Sequence, residues 1–328
     1  MNYDEFKSKV KESLEEYFGD TAEVRVKSVM KNNGVTRYGV TIFCNRCNLS
    51  PTIYLEEFYN RVQNGEVYAQ IIHEIITIFE EHKVTGNFDI SFFTDFDNVK
   101  DRIMYKLVNA ELNSELLKSV PHIRYMDFAI VFFYLFSKDL SEEVFRKKDT
   151  SGTASILIYN SHMAFWKKSI DDLKRCAEIN TARNLGVALL RMEDVLLECM
   201  AKRRMEDYEA VNLFEENEPE PVNLLDGNFA QFDFPPMYVL TNDRREFGAS
   251  AILYDGILKR AGEIINSGFY IIPSSIHELI LVPEVQGVNS GDLKNMVKQV
   301  NDNELPPAEV LSDSVYYYNP LVGELSVC

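Results

Sequence analysis

The chain has no uncharged apolar run longer than the nine residues of 128–136 (FAIVFFYLF). A membrane-spanning helix needs about 20, so this run reads as a buried strand. The first eighteen residues, MNYDEFKSKVKESLEEYF, are charged every two or three positions and contain no apolar stretch of signal-peptide type. Phosphate-cradling glycine loops are missing: neither G-x-G-x-x-G nor G-x-x-x-x-G-K-[ST] occurs. The G-x-S-x-G turn that presents a hydrolase serine is also missing. His73-Glu74 and His277-Glu278 each begin like a zinc-protease helix, but the second histidine such a helix requires is Thr77 in one case and Leu281 in the other. These absences leave no cofactor and no metal to assign. Cysteine is scarce, five in odd number and without framework spacing, which fits a reducing compartment and makes the cytoplasm the expected location. Basic residues are outnumbered, 34 Lys+Arg against 51 Asp+Glu, for a net charge of -17. A chain this acidic repels phosphate backbones and anionic lipid, so the expected partner is a protein or small molecule, with no nucleic acid and no membrane.

What the chain does have is a core. Apolar residues make up 46% and charged residues 26%, an ordinary globular balance. Tyr3, Phe6, Val10, Leu14 and Tyr17 recur at helical steps. Residues 22–27 then alternate as a half-buried strand, Asn32-Asn33-Gly34 turns the chain, and 37–43 pairs back. A third extended piece at 51–55 precedes helices over about 55–63 and 66–82. Strands are expected near 102–108, 126–136 and 153–159. A helical pair follows at 169–180 and 184–204, with Leu189, Leu190, Val195, Leu196, Cys199 and Met200 on one stripe. His162 and Trp166, one helical turn apart, suit a ring-on-ring contact.

From 205 to 243 there is no Lys or Arg, and the interval holds ten carboxylates. Self-repulsion and two prolines mark 206–232 as an acidic linker or exposed loop. Beyond it the pattern restarts with strands at 237–241 and 249–253, a helix at 254–266, strands at 269–272 and 276–282, and a helix at 290–300. A closing hairpin around Asn319-Pro320 completes the series. The expected class is α+β, with mainly antiparallel sheets and helices packed on them. The expected division is an N-terminal domain at 1–205, a connector at 206–232 and a β-β-α-β-β-α module at 233–328.

Pro236-Met237-Tyr238-Val239-Leu240-Thr241-Asn242, Gly248-Ala249-Ser250 and Pro273-Ser274-Ser275-Ile276-His277-Glu278 resemble an uncharacterised bacterial domain-of-unknown-function family. Ser50-Pro51-Thr52-Ile53-Tyr54-Leu55 with Asn64-Gly65, and Asn160-Ser161-His162 with Trp166, look similar to the same family. The C-terminal third is also similar, more loosely, to a second uncharacterised bacterial family. Neither resemblance implies an activity.

Ser274, Ser275, His277 and Glu278 bring nucleophile, base and carboxylate types within five residues. On a strand, alternation places Ser275 and His277 on one face and Ser274 and Glu278 on the other. Catalytic partners usually come from separate elements, so structural hydrogen bonding or a docking site is favoured over catalysis. Asn242-Asp243 most simply makes an Asx turn; the alternative is that, beside the Pro-Ser-Ser loop, the two help line a pocket. The sequence therefore points to a binding or regulatory protein whose surface is Asn242, Ser274, Ser275, His277 and Glu278. One alternative is a serine hydrolase using Ser275 or Ser274 with His277 as base. Another is a thiol-redox or zinc protein acting through Cys44 and Cys47, whose C-x-x-C spacing lacks a second pair nearby.

Overall fold

A computed structural model describes residues 1–44, 50–83, 90–136, 155–207, 222–226 and 237–328. Most of the 206–232 connector, and Cys47, lie outside the described residues. The fold is α+β, with three antiparallel sheets among the described residues.

The first helix, α1 (Tyr3–Phe18), starts at a capping box: Asn2 Oδ1 accepts the Glu5 N–H at 2.9 Å, and Glu5 Oε2 accepts the Asn2 N–H at 3.0 Å. Strands β1 (Ala22–Met30) and β2 (Thr36–Cys44) form a hairpin in the register Val26↔Val40, and β3 (Thr52–Tyr54) pairs with β2. Alternation sends Val24, Val40, Ile42 and Ile53 inward. There they meet Phe6, Val10 and Leu14 of α1, Phe58 of α2 (Glu56–Gln63), and Ile71, Ile75 and Phe79 of α3 (Tyr68–His82). Each fully buried side chain of this kind stabilises by roughly 1.5–3 kcal/mol, so the unit has a core of its own.

The hairpin tip docks on the rest of the molecule. Asn33 sits at φ 58, a left-handed position that Asn tolerates. Its Nδ2 donates to the carbonyls of Pro307 (2.8 Å) and Val310 (2.6 Å), and its Oδ1 accepts from Asn113 Nδ2 at 2.7 Å. Asn32 adds a bond to the Ala308 carbonyl at 2.7 Å.

The second sheet has β6 (Phe128–Leu135) at its centre. It is flanked on one side by β4 (Ile103–Asn109) and on the other by β5 (His122–Tyr125) and β7 (Ser155–Leu157). Seven of the eight β6 residues are buried, which explains the unbroken apolar run. Between sheet and chain surface lie α4 (Phe96–Val99), α5 (Ser114–Leu117), α6 (Asn160–Trp166) and α7 (Ile170–Leu185). Thr181 of α7 accepts the Tyr105 N–H at 3.1 Å, satisfying a backbone donor of β4.

The third sheet runs β13-β12-β10-β11-β9-β8. In chain order these are β8 (Ala188–Arg191), β9 (Tyr238–Thr241), β10 (Phe269–Ile272), β11 (Leu279–Pro283), β12 (Tyr316–Asn319) and β13 (Glu324–Val327). The helices here are α8 (Met192–Asp207), α9 (Ile257–Ile265) and α10 (Ser290–Asn303). Strand β8 precedes the acidic stretch and β9 follows it, and the two pair directly. The second and third sheets share one core, in which Leu107 and Phe128 pack with Leu240, Phe269, Leu281 and Tyr316. Asp127 of the β5–β6 turn accepts hydrogen bonds from the Ser312 and Tyr316 hydroxyls, tying the two sheets together. Among the described residues no helix is long and apolar enough to cross a membrane.

Three local expectations are corrected. Leu189 and Leu190 lie on β8, not on a helical stripe, because Gly186 (φ 67) ends α7 first; Leu196 and Met200 of α8 are exposed. Residues 249–253 belong to a 3-10 turn, Gly248–Leu253, whose first five residues are all buried, so no strand-type alternation exists there. The Ser274–Glu278 segment is a loop after Pro273, and β11 begins only at Leu279.

Candidate functional site

Two loops meet at the ends of β9 and β11. The first, 242–248, is organised by Asn242, which is fully buried. Its Oδ1 accepts the N–H groups of Arg244 (3.0 Å) and Glu246 (3.3 Å), while its Nδ2 donates to the Glu246 carbonyl at 2.8 Å. This is an Asx turn closed at both ends of the amide. It forces Arg245 (φ 52) and Phe247 (φ 56) into the left-handed region, where an aromatic residue is uncommon. Gly248 then lets the loop lie against its neighbour: a Cβ there would meet Thr241 Oγ1 at 2.2 Å, the His277 carbonyl at 2.5 Å and the Asn242 nitrogen at 2.8 Å.

The second loop, 273–278, is held mainly through its backbone. Thr241 Oγ1 donates to the His277 carbonyl at 2.9 Å, and the Ile276 N–H donates to the Glu309 carbonyl at 3.0 Å. Ser275, nearly buried, accepts the His277 N–H on its Oγ at 3.0 Å. His277 stacks on Phe247 with centroids 5.8 Å apart and planes 16° from parallel. Its Nδ1 accepts the Phe247 N–H at 3.3 Å, and the ring also hydrogen-bonds the Arg245 backbone. Burial pushes the His277 pKa down, with Lys106 adding to that and Glu309 opposing it. Ser274 hydrogen-bonds Glu278, whose carboxyl is pushed up by burial; Arg245 and that bond oppose the rise. Arg245 is itself ion-paired with Glu198 at 2.7 Å.

The five residues singled out from the sequence are thus neighbours. Ser274 and Glu278 form one pair, Ser275 and His277 another through the backbone, and Asn242 shapes the opposing loop. Among the described residues, no hydrogen bond joins either serine hydroxyl to the imidazole.

Lys106 is the residue the sequence reading missed. It lies on β4, in the second sheet, with Nζ 3.9 Å from the Phe247 centroid and 5.9 Å from that of Phe133. The side chain is half-buried but crowded by protein, and desolvation lowers its pKa to about 8. Glu246 works against that shift and Lys31 adds to it. Among the described residues no carboxylate lies within ion-pair distance of Nζ. A lone lysine inside Ile-Met-Tyr-Lys-Leu-Val was the available signal. Lys106, Phe247 and His277 therefore form a stack in which the amine and the imidazole are both pushed toward their neutral forms.

The other candidates stand apart. Cys44 ends β2, is half-buried and is disulfide-bonded; Cys47 is outside the described residues. His162 packs on Trp166 with centroids 5.7 Å apart, and its Nδ1 accepts the Tyr159 N–H at 3.1 Å.

The fold and site define an α+β protein with a desolvated Lys–Phe–His stack between two sheets. The chain belongs to DUF5688, a family of unknown function, whose pattern matches residues 3–320. No curated protein matches the chain. No solved structure matches it either.

Proposed function

We propose that this protein works by binding, in an interaction or regulatory role, and that its recognition surface is built from the 242–248 and 273–278 loops. One observation carries the reading: His277 Nδ1 is occupied by the Phe247 N–H, and Ser275 Oγ is occupied by the His277 N–H. A serine nucleophile needs its hydroxyl on an imidazole nitrogen, whereas here the imidazole holds the 242–248 loop and Ser275 Oγ accepts from the backbone of its own loop. Such pre-organisation lowers the ordering cost of binding.

The test combines a fluorophosphonate probe with a ligand screen by thermal shift. The reading expects no labelled serine. It also expects ligands that stabilise the wild type and lose that effect in His277→Ala, each protein being compared with its own ligand-free Tm. A labelled Ser274 or Ser275, with labelling abolished by His277→Ala, would establish the hydrolase instead.

A further inference from the structure

Lys106 poses a physical problem that the loops alone do not solve. Removing an ammonium from water without a counter-charge is costly, and the ring of Phe247 returns only about 0.5–2 kcal/mol of that. The chain has 51 carboxylates. Lys7, Lys100 and Lys118 each have one at 2.6–2.8 Å, whereas among the described residues Lys106 has none within ion-pair distance, although Glu246 acts on it from farther away.

The surroundings look built around that amine. Phe247 is held over it in a left-handed conformation of the kind that costs about 1–3 kcal/mol and clusters at ligand sites. His277 fixes Phe247 by stacking and by the 3.3 Å bond to its backbone. Lys106 is only half-buried, so part of the residue stays open to solvent.

We propose that Lys106 is the anchor for a small carboxylate ligand, which enters beside Phe247 and supplies the missing counter-charge. This rests on the binding role given to the adjoining loops. A carboxylate is favoured over phosphate by charge: Glu246 lies close enough to act on Lys106, and Glu309 acts on His277. One negative charge is neutralised by one ammonium, while a dianion would leave an excess facing those two carboxylates. Lys31 is a further cation acting on Lys106.

Acetate and benzoate are the probes, with inorganic phosphate at matched ionic strength as the comparison, read by thermal shift on the full chain. The expected result is stabilisation of the wild type by a carboxylate, with apparent affinity weakened about tenfold or more in Lys106→Met and partly restored in Lys106→Arg. Equal responses in wild type and Lys106→Met, or no response to either carboxylate, would overturn the proposal. Stabilisation by phosphate alone would overturn the carboxylate assignment. If the probes fail while other ligands are still lost in His277→Ala, the Lys106 anchor falls and the binding surface stands. A serine labelled by the fluorophosphonate removes the binding reading, whatever the carboxylates do.

Discussion

Replacing Lys106 by methionine should make the protein more stable at neutral pH. The substitution keeps the length and packing of the stem and deletes the charge. In the native state the amine titrates at about 8, against about 10.4 for an unfolded lysine. That difference corresponds to a cost of about 3 kcal/mol for holding the ammonium in the fold. The remaining exposure and the Phe247 contact reduce it, so a gain of about 1–3 kcal/mol is expected for Lys106→Met. The sign with pH follows. Below pH 8 the native lysine is charged and the full cost is present. Between about 8 and 10.4 the unfolded chain binds more protons than the native one, so wild-type stability rises relative to the variant. Above that range the protonation cost has gone. Denaturant unfolding of both proteins from pH 6.5 to 10.5 reads the difference directly, because other titrating groups cancel. A variant that is less stable at pH 7, by an amount independent of pH, would show that the ammonium is well compensated and would refute the reasoning.

Tyr316→Phe removes a buried hydroxyl that bonds Asp127 across the two sheets, and unfolding should show a loss of about 1.5–3 kcal/mol. Asn33→Ala deletes the bonds to Pro307 and Val310; hydrogen exchange should rise in 306–311 and at the hairpin tip while the core of the N-terminal unit stays protected. Gly248→Ala places a methyl group against Thr241, Asn242 and His277, so a Tm decrease equivalent to about 1–3 kcal/mol is expected.

Much of the architecture can be read from local pattern. Helix α1, the β1–β2 hairpin and strand β6 follow from a helical period, an Asn-Asn-Gly turn and an unbroken apolar run. Strand β8 does not: Ala188–Arg191 is too short to display a period of two, and its leucines fall in phase with the helix that follows. Gly186, an unrecognised helix stop, was the clue. The 3-10 turn at Gly248–Leu253 reads as a strand in the sequence because small buried residues carry no periodic signal.

The site was partly legible for the same reason. Ser274, Ser275, His277 and Glu278 lie within five residues, so their proximity needs no fold. Their hydrogen bonds depend on the 242–248 loop, and that loop's shape is set by a buried asparagine amide rather than by any spacing. Lys106 was out of reach because its role is defined by Phe247, in a loop far along the chain. Composition could not locate the unpaired ammonium either, since a net charge of -17 describes the whole chain and says nothing of one recess.

The most direct measurement is the titration of the Lys106 ε-carbon signal by NMR, assigned with Lys106→Met. The account predicts a midpoint near 8 in the free protein, moving upward when acetate or benzoate is bound. A midpoint at the ordinary lysine value of about 10.4, unmoved by either carboxylate, would contradict it.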